Sequence, residues 1–331
     1  MTSIQSKLDE LASQNDSRTS VFDIQIRGTQ NGTLTLSGRL LDELQLRTLS
    51  HHFLDLKLDT ASIRILRRHD LPCMHVGTNL TGLYERPTFG MALSSELLYG
   101  TEFEILDEQG RWVFTRQKDG YLGWAYKPYL EEGFAAEATH LIIAPSCELR
   151  AQPDVLSEIV TRVLSGTGVM LNEADGEWAE VTANKTGWMP FSVLRAFNDI
   201  PQSIEAKRKM LIEDAMLMIG VPYLWGGTSG NGIDCSGLVR LLHHWVGVDI
   251  PRDADMQHAA AKPVKAPFEV GDLFFFAENE SKRKITHMGM SLGGWKMIHS
   301  SRGRNGVYID NVQERLSLKE IYVSAGSFLR Q

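Results

Sequence analysis

Cys235 stands where a glycine-rich loop gives way to a helix. From Tyr223 to Gly232 the glycines and short polar residues let the backbone turn tightly and come close to a ligand. Asp234 is an N-cap type, and Leu238, Val239, Leu242 and Trp245 recur at helical spacing, so Cys235 falls in the first turn. Unpaired amides and the positive end of the dipole there lower a thiol pKa and favour the thiolate, the nucleophilic form. Downstream, residues 284–291 and 295–300 form two runs joined through Leu292-Gly293-Gly294. With a three-residue loop centred on Gly293, His287 and His299 are cross-strand partners with Cβ atoms about 5 Å apart. A two-residue Gly293-Gly294 turn makes them diagonal neighbours instead. Either register brings them within reach of each other, as a base and the group that orients it must be. A thiol with a histidine base is the equipment for acyl transfer.

The ordered pattern Pro222-Tyr223-x-Trp225-Gly226-Gly227, Asp234-Cys235-Ser236-Gly237-Leu238-Val239, Ile250-Pro251-Arg252, Gly271-Asp272-Leu273, His287-Met288-Gly289-Met290 and Ile298-His299 resembles the NlpC/P60 papain-like cysteine peptidases of bacterial cell-wall peptides. The resemblance runs from about residue 203 to the end of the chain. It implies Cys235 as nucleophile, His287 as general base and His299 as the residue that orients the imidazole. It further implies hydrolysis of the γ-D-glutamyl to diamino-acid bond in murein peptides, with release of L-Ala-γ-D-Glu for recycling. The Cys235 amide would serve the oxyanion, Asp234 would pair with a substrate ammonium and Ser236 would add a hydrogen bond. Tyr223, Trp225, Arg252 and Asp253 belong to the same motif and would line the cleft, a structural salt link being the alternative for the last two.

What must position these residues is a chain of 331 residues, long enough for several domains. A net charge of −7 gives no basic footprint for nucleic acid, and no apolar run approaches the roughly 20 residues that span a bilayer. The start carries acids where a secretory signal needs apolar residues, so a cytoplasmic location is expected. Three widely spaced cysteines fit a reducing compartment rather than a disulfide framework, with Cys73 and Cys147 structural or incidental. No cofactor is called for, and the oligomeric state and the preferred diamino acid are not legible.

In chain order, residues 1–19 read as a polar tail or frayed helix. Residues 20–69 form a small α/β unit: alternation at 21–26 and 33–38 around Asn31-Gly32 signals a hairpin, followed by a helix and a closing strand. In outline this unit resembles the lipid-associated BON modules; His51 and His52 in it are read as solvated. Residues 70–133 and 134–198 form an internal repeat. Gly100-Thr101 stands to Trp112 as Gly166-Thr167 stands to Trp178, and Gly123-Trp124 answers Gly187-Trp188. Short alternating strands between turn signals make each copy a small β-barrel, resembling bacterial SH3-like domains, its tryptophans chiefly core residues. Aligning the Gly-Trp pairs sets Tyr121 opposite Lys185. In resembling peptidases the first barrel lends a tyrosine and an acid that hold the substrate's free L-alanyl amine. Tyr121 and Glu85 are the candidates, the alternative for each being a surface turn residue. After a short linker, Ser203 caps a helix to Ile219, and residues 202–331 form the α+β papain-like domain. The run Leu273-Phe274-Phe275-Phe276 reads as a strand buried on both faces.

The expected fold is therefore multidomain: a papain-like catalytic domain preceded by two SH3-like barrels and a small α/β unit. Three other readings compete with this one. Cys235, His287 and His299 could be zinc ligands, although no HExxH or CxxC accompanies them. The chain could also be an open-cleft wall-peptide endopeptidase or amidase, or a non-catalytic murein-peptide binder.

Overall fold

The computed structural model describes residues 4–277 and 284–330, so the first residues of the expected tail and the last residue of the resembling region lie outside it. The chain divides into two compact units, residues 1–75 with 102–134, and residues 76–101 with 135–331.

In the first unit the segment expected as a polar tail or frayed helix holds a helix, Ile4–Ser13. Its Leu8 and Leu11 are buried with Leu34, Leu36, Leu40, Leu49 and Phe53, and this apolar contact is what a free tail would lack. The hairpin signal is realised as Phe22–Gln30 antiparallel to Thr33–Leu40. Asn31 and Gly32 adopt φ of 49° and 74°, the left-handed pair that a tight two-residue hairpin requires. The helix Glu43–His52, capped by Asp42 on the Gln45 amide, leads to Lys57–Ile65, which runs parallel to Thr33–Leu40. Farther along, Glu102–Gln109, Trp112–Gln117 and Leu122–Tyr126 form an antiparallel meander.

The second unit begins with a hairpin, Leu80–Tyr84 and Leu93–Leu98. Residues 140–196 then form a seven-stranded sheet around Ile142, Leu149, Val163, Val169, Val181 and Met189. The repeat reappears in backbone hydrogen bonds. Val76 N donates to Thr101 O at 3.0 Å as Ile142 N donates to Thr167 O at 3.0 Å. Gly100 and Gly166 both take a left-handed φ, of 77° and 84°.

The C-terminal part packs two helices on an antiparallel sheet. The helix Ile204–Leu217, capped by Ser203, ends two residues before the expected Ile219 and shares a core with the helix Cys235–Trp245 through Leu211, Ala215, Leu238, Leu242 and Trp245. The six strands lie in the order Lys262–Val264, Tyr322–Ser327, Leu273–Ala277, Ile285–Ser291, Lys296–Ser301, Gly306–Asn311. Leu273–Ala277 is buried throughout, as its unbroken apolar run dictates. No helix of the described residues is long and apolar enough to cross a membrane.

Candidate active site

Cys235 is the first residue of its helix, and the loop before it is held backbone against backbone. Ile233 N donates to Pro222 O at 2.9 Å, and Asp234 N donates to Gly227 O at 3.2 Å. A Cβ on Gly237 would stand 2.2 Å from Gly227 O, so only glycine lets the first helical turn pass this close to the loop. Asp234 caps the helix by accepting from Gly237 N at 2.7 Å, as its type predicts. The Cys235 amide, first in the helix, has no acceptor among the described residues. It remains available to an anion.

The environment of the thiol differs from the sequence expectation. Burial first, and the Asp234 carboxylate second, push the Cys235 thiol up to about 12, against amides of Met288 and Ser236 that favour the thiolate. Desolvation and a neighbouring anion outweigh the helix end. The Met288 amide belongs to the residue after His287, and this brings the His287 strand against the thiol.

The two histidines meet, in a register neither alternative anticipated. Met290 pairs with Ile298 and Ser291 with Met297, because Leu292 N closes a longer loop on Lys296 O at 2.8 Å. Carried onward, that register sets His299 opposite Gly289, two residues from His287. The diagonal pair still joins, His287 Nε2 to His299 Nδ1 at 2.8 Å. His299, 2% exposed, sends its other nitrogen to Asp310 Oδ2 at 2.8 Å. Both of its ring nitrogens are thus occupied, and the three-ligand zinc reading finds no donor there. Burial first, then His299, push the His287 imidazole down from its ordinary value.

Several residues assigned to substrate instead hold the site together. The Asp234 carboxylate accepts from Gly226 N at 3.0 Å, from Ser236 Oγ at 3.1 Å, and from Arg252 at 2.7 and 3.2 Å. With the cap bond added, little capacity remains for a substrate ammonium. Arg252 is 2% exposed and lines no open cleft; besides Asp234 it donates to Ser236 Oγ at 2.9 Å and to Ser95 Oγ at 3.0 Å. Ser236 is thereby committed as both donor and acceptor. Asp253 starts the helix Ala254–Ala260 without a side-chain cap, 4.0 Å from Arg252. Tyr223 faces Cys235: burial first, then the charges of Cys235 and Asp234, push its hydroxyl up to about 12. Trp225 is 61% exposed beside it in sequence, a free aromatic wall.

The acidic candidate also changes. Glu85 is exposed after Leu80–Tyr84 and has no hydrogen-bond partner among the described residues. The acid of that segment that touches the Cys235 loop is Glu96, accepting from Thr228 N at 2.9 Å and Ser229 Oγ at 2.8 Å. Its own amide donates to Gly226 O at 2.9 Å. Glu96 and Asp310 were not singled out from sequence: Glu96 lies far along the chain from the loop it serves, and Asp310 reaches His299 only through the pairing of their two strands. The alternation of Gly306–Asn311 beside the His299 strand was the available signal for Asp310. Tyr121 belongs to the other compact unit, buried in a turn where its carbonyl accepts from Gln117 N at 2.9 Å. Lys185 O accepts from Ala183 N at 2.9 Å in the corresponding turn.

A helix-start cysteine packed against a histidine-bearing antiparallel sheet defines a papain-like cysteine peptidase, a hydrolase. Residues 220–325 match the NlpC/P60 family, and residues 83–125 match the bacterial dipeptidyl-peptidase SH3 domain. The chain is 30% identical over 240 residues to a gamma-D-glutamyl-L-lysine dipeptidyl-peptidase of Bacillus subtilis, covering 69% of this chain and 79% of that one. It is 29% identical over 235 residues to the Bacillus cereus protein of the same name, covering 66% and 70%. The crystal structure of an NlpC/P60 family protein from Bacillus cereus superposes with a TM-score of 0.67 at 25% identity, covering 78% of this chain and 100% of its own. The chain belongs to the NlpC/P60 family, with an SH3-like domain ahead of its peptidase domain.

Proposed function

We propose that this peptidase hydrolyses the γ-D-glutamyl to diamino-acid bond of short murein-derived peptides that carry a free N-terminal L-alanine, releasing L-Ala-γ-D-Glu. The observation that carries the reading is the helix-start thiol met by the Met288 amide, next in the chain to His287 of a hydrogen-bonded histidine pair. The names of the relatives support the bond class, since two are gamma-D-glutamyl-L-lysine dipeptidyl-peptidases.

Cys235 is the nucleophile and His287 the general base. The resting pair is neutral, because burial raises the thiol and depresses the imidazole. The proton therefore moves during attack: Cys235 Sγ bonds to the scissile carbonyl carbon as His287 Nδ1 takes the thiol proton. The carbonyl oxygen becomes an oxyanion, and the Cys235 amide donates to it. Collapse breaks the C–N bond, His287 returns its proton to the leaving amine, and a thioester remains. Water, deprotonated by His287, then releases the acid and restores the thiol. Tyr223 and Trp225 supply the wall beside the thiol. The peptides are those freed from the wall for recycling, met in the cytoplasm.

Incubating the enzyme with L-Ala-γ-D-Glu-meso-diaminopimelate and with the L-Lys counterpart, followed by mass spectrometry, tests the bond. The expected products are L-Ala-γ-D-Glu and the free diamino acid. Release of alanine alone, or no product from either peptide, overturns the assignment.

A further inference from the structure

Asp310 sits at the outer end of a line of hydrogen bonds that leads inward through His299 to His287, the residue before the Met288 whose amide meets the thiol. It lies on Gly306–Asn311, the strand paired with that of His299, where His299 opposes Tyr308 and Met297 opposes Asp310. Two guanidinium groups hold it. Arg315 Nη1 donates to both carboxylate oxygens at 2.9 Å, and Arg304 Nη1 donates to Oδ1 at 3.0 Å. Burial opposes the charge, yet hydrogen bonds from His299 and Arg315 hold its carboxyl below the usual range, so it is a carboxylate and only an acceptor.

That sign propagates. Because Asp310 can only accept, His299 must carry its proton on Nε2, at 2.8 Å from the carboxylate. A neutral His299 is then bare at Nδ1, and Nδ1 is the atom 2.8 Å from His287 Nε2. His287 must therefore donate from Nε2, which leaves Nδ1 as its only lone pair. The reverse set, with the proton of His299 on Nδ1, would strip Nε2 of His287 and put a proton on Nδ1. The base would then present N–H instead of a lone pair.

We propose that Asp310, clamped by Arg304 and Arg315, is a positioning residue that fixes the tautomers of both histidines and so keeps Nδ1 of His287 bare for the thiol proton. The proposal rests on the reading of His287 as the base. On the side away from Asp310, His299 meets His287, and His287 in turn lies against Phe276 and on the strand whose Met288 amide meets Cys235. The resting ring has no charge to share, and the carboxylate gains a second task when His287 becomes protonated. It then polarises His299 to accept more strongly from the imidazolium.

Asp310→Asn separates geometry from proton placement. The one amide oxygen is claimed by Arg304 and Arg315, and the NH2 group is turned to His299, reversing the line. Nitrogen-15 histidine NMR of the full chain should show both rings Nε2-protonated in the parent and Nδ1-protonated in Asp310→Asn. In the same variant kcat for the tripeptide should fall on the order of a hundredfold to ten-thousandfold with KM changed little. Asp310→Glu, which restores an acceptor-only group, should recover the parent tautomers and part of kcat. The arginine partners are partly exposed, with side-chain accessibilities of 36% and 38%, so the fold should survive, and the NMR spectrum reads that directly. Parent tautomers in Asp310→Asn, or kcat within about twofold of the parent, would overturn the proposal. The NMR result needs no turnover, so failure of the substrate assignment leaves it standing on its own.

Discussion

At Cys235 two opposing influences are balanced, and the structure says which prevails. A helix end is worth about 0.3–1 kcal/mol to an adjacent charge. Removing a thiolate from water into the packed start of this helix costs more, and Asp234 adds repulsion. The thiol therefore rests protonated, and His287, depressed by burial and by His299, rests neutral. As pH falls through that lowered value the base is lost. Activity should therefore persist below pH 6, where an ordinary histidine is already protonated. Alkylation of Cys235 should keep accelerating up to pH 10, with no plateau of a preformed thiolate. An acid limb of kcat/KM at or above about 6.5, together with a flat alkylation profile from pH 5 to 8, would contradict a neutral resting pair. Substitutions rank the roles. Cys235→Ala should abolish hydrolysis, and His287→Ala should come close to it. His299→Ala should lose only about ten- to a hundredfold, because it orients the base without transferring the proton. Equal small losses at both histidines would count against this ordering. The residue types here were legible in sequence, since glycine spacing and helical periodicity locate Cys235. Its burial was not, because that depends on the sheet packed over it.

Among the elements, the loop before the helix and the segment around Glu96 decide whether the thiol is held in place. Arg252 is the buried counter-ion of Asp234. Arg252→Ala should cost about 3–5 kcal/mol, measured by denaturant unfolding, since it strands a buried carboxylate. Gly237→Ala should cost about 1–3 kcal/mol and much of the activity, because its Cβ meets immovable backbone at Gly227. Unchanged unfolding midpoints in both variants would show that the loop is not tied as described. Helices and strands were readable at this scale from periodicity and caps: Ser203, Asp42 and Asp234 all cap as their types suggest. The His287–His299 register was not, because two adjacent glycines allow several turn lengths and only the Leu292 to Lys296 closure chooses between them. Asp234, Ser236 and Arg252 looked like ligands for the same reason that they are conspicuous in the motif. Their polar atoms turn out to be spent on one another.

For the molecule as a whole, the internal repeat was visible in the Gly-Thr and Gly-Trp pairs and returns as matching hydrogen bonds around Gly100 and Gly166. The helix Ile4–Ser13 was legible only as a tail or a frayed helix, because its polar composition hides two leucines that find a core only in the folded unit. The names of the relatives, dipeptidyl-peptidases, motivate the proposal that the enzyme requires a free substrate N-terminus. Purified sacculi should release soluble peptide far more slowly than free tripeptide is cleaved. The most direct measurement is the ratio of kcat/KM for L-Ala-γ-D-Glu-meso-diaminopimelate and its N-acetylated twin, with products identified by mass spectrometry and Cys235→Ala as the control. Loss of a charge-assisted ammonium contact in a polar site is expected to give a ratio of at least about a hundred in favour of the free peptide, with L-Ala-γ-D-Glu as the product and none from Cys235→Ala. Equal cleavage of the two peptides, or undiminished product from Cys235→Ala, would contradict a thiol dipeptidyl-peptidase that reads the amino end of its substrate.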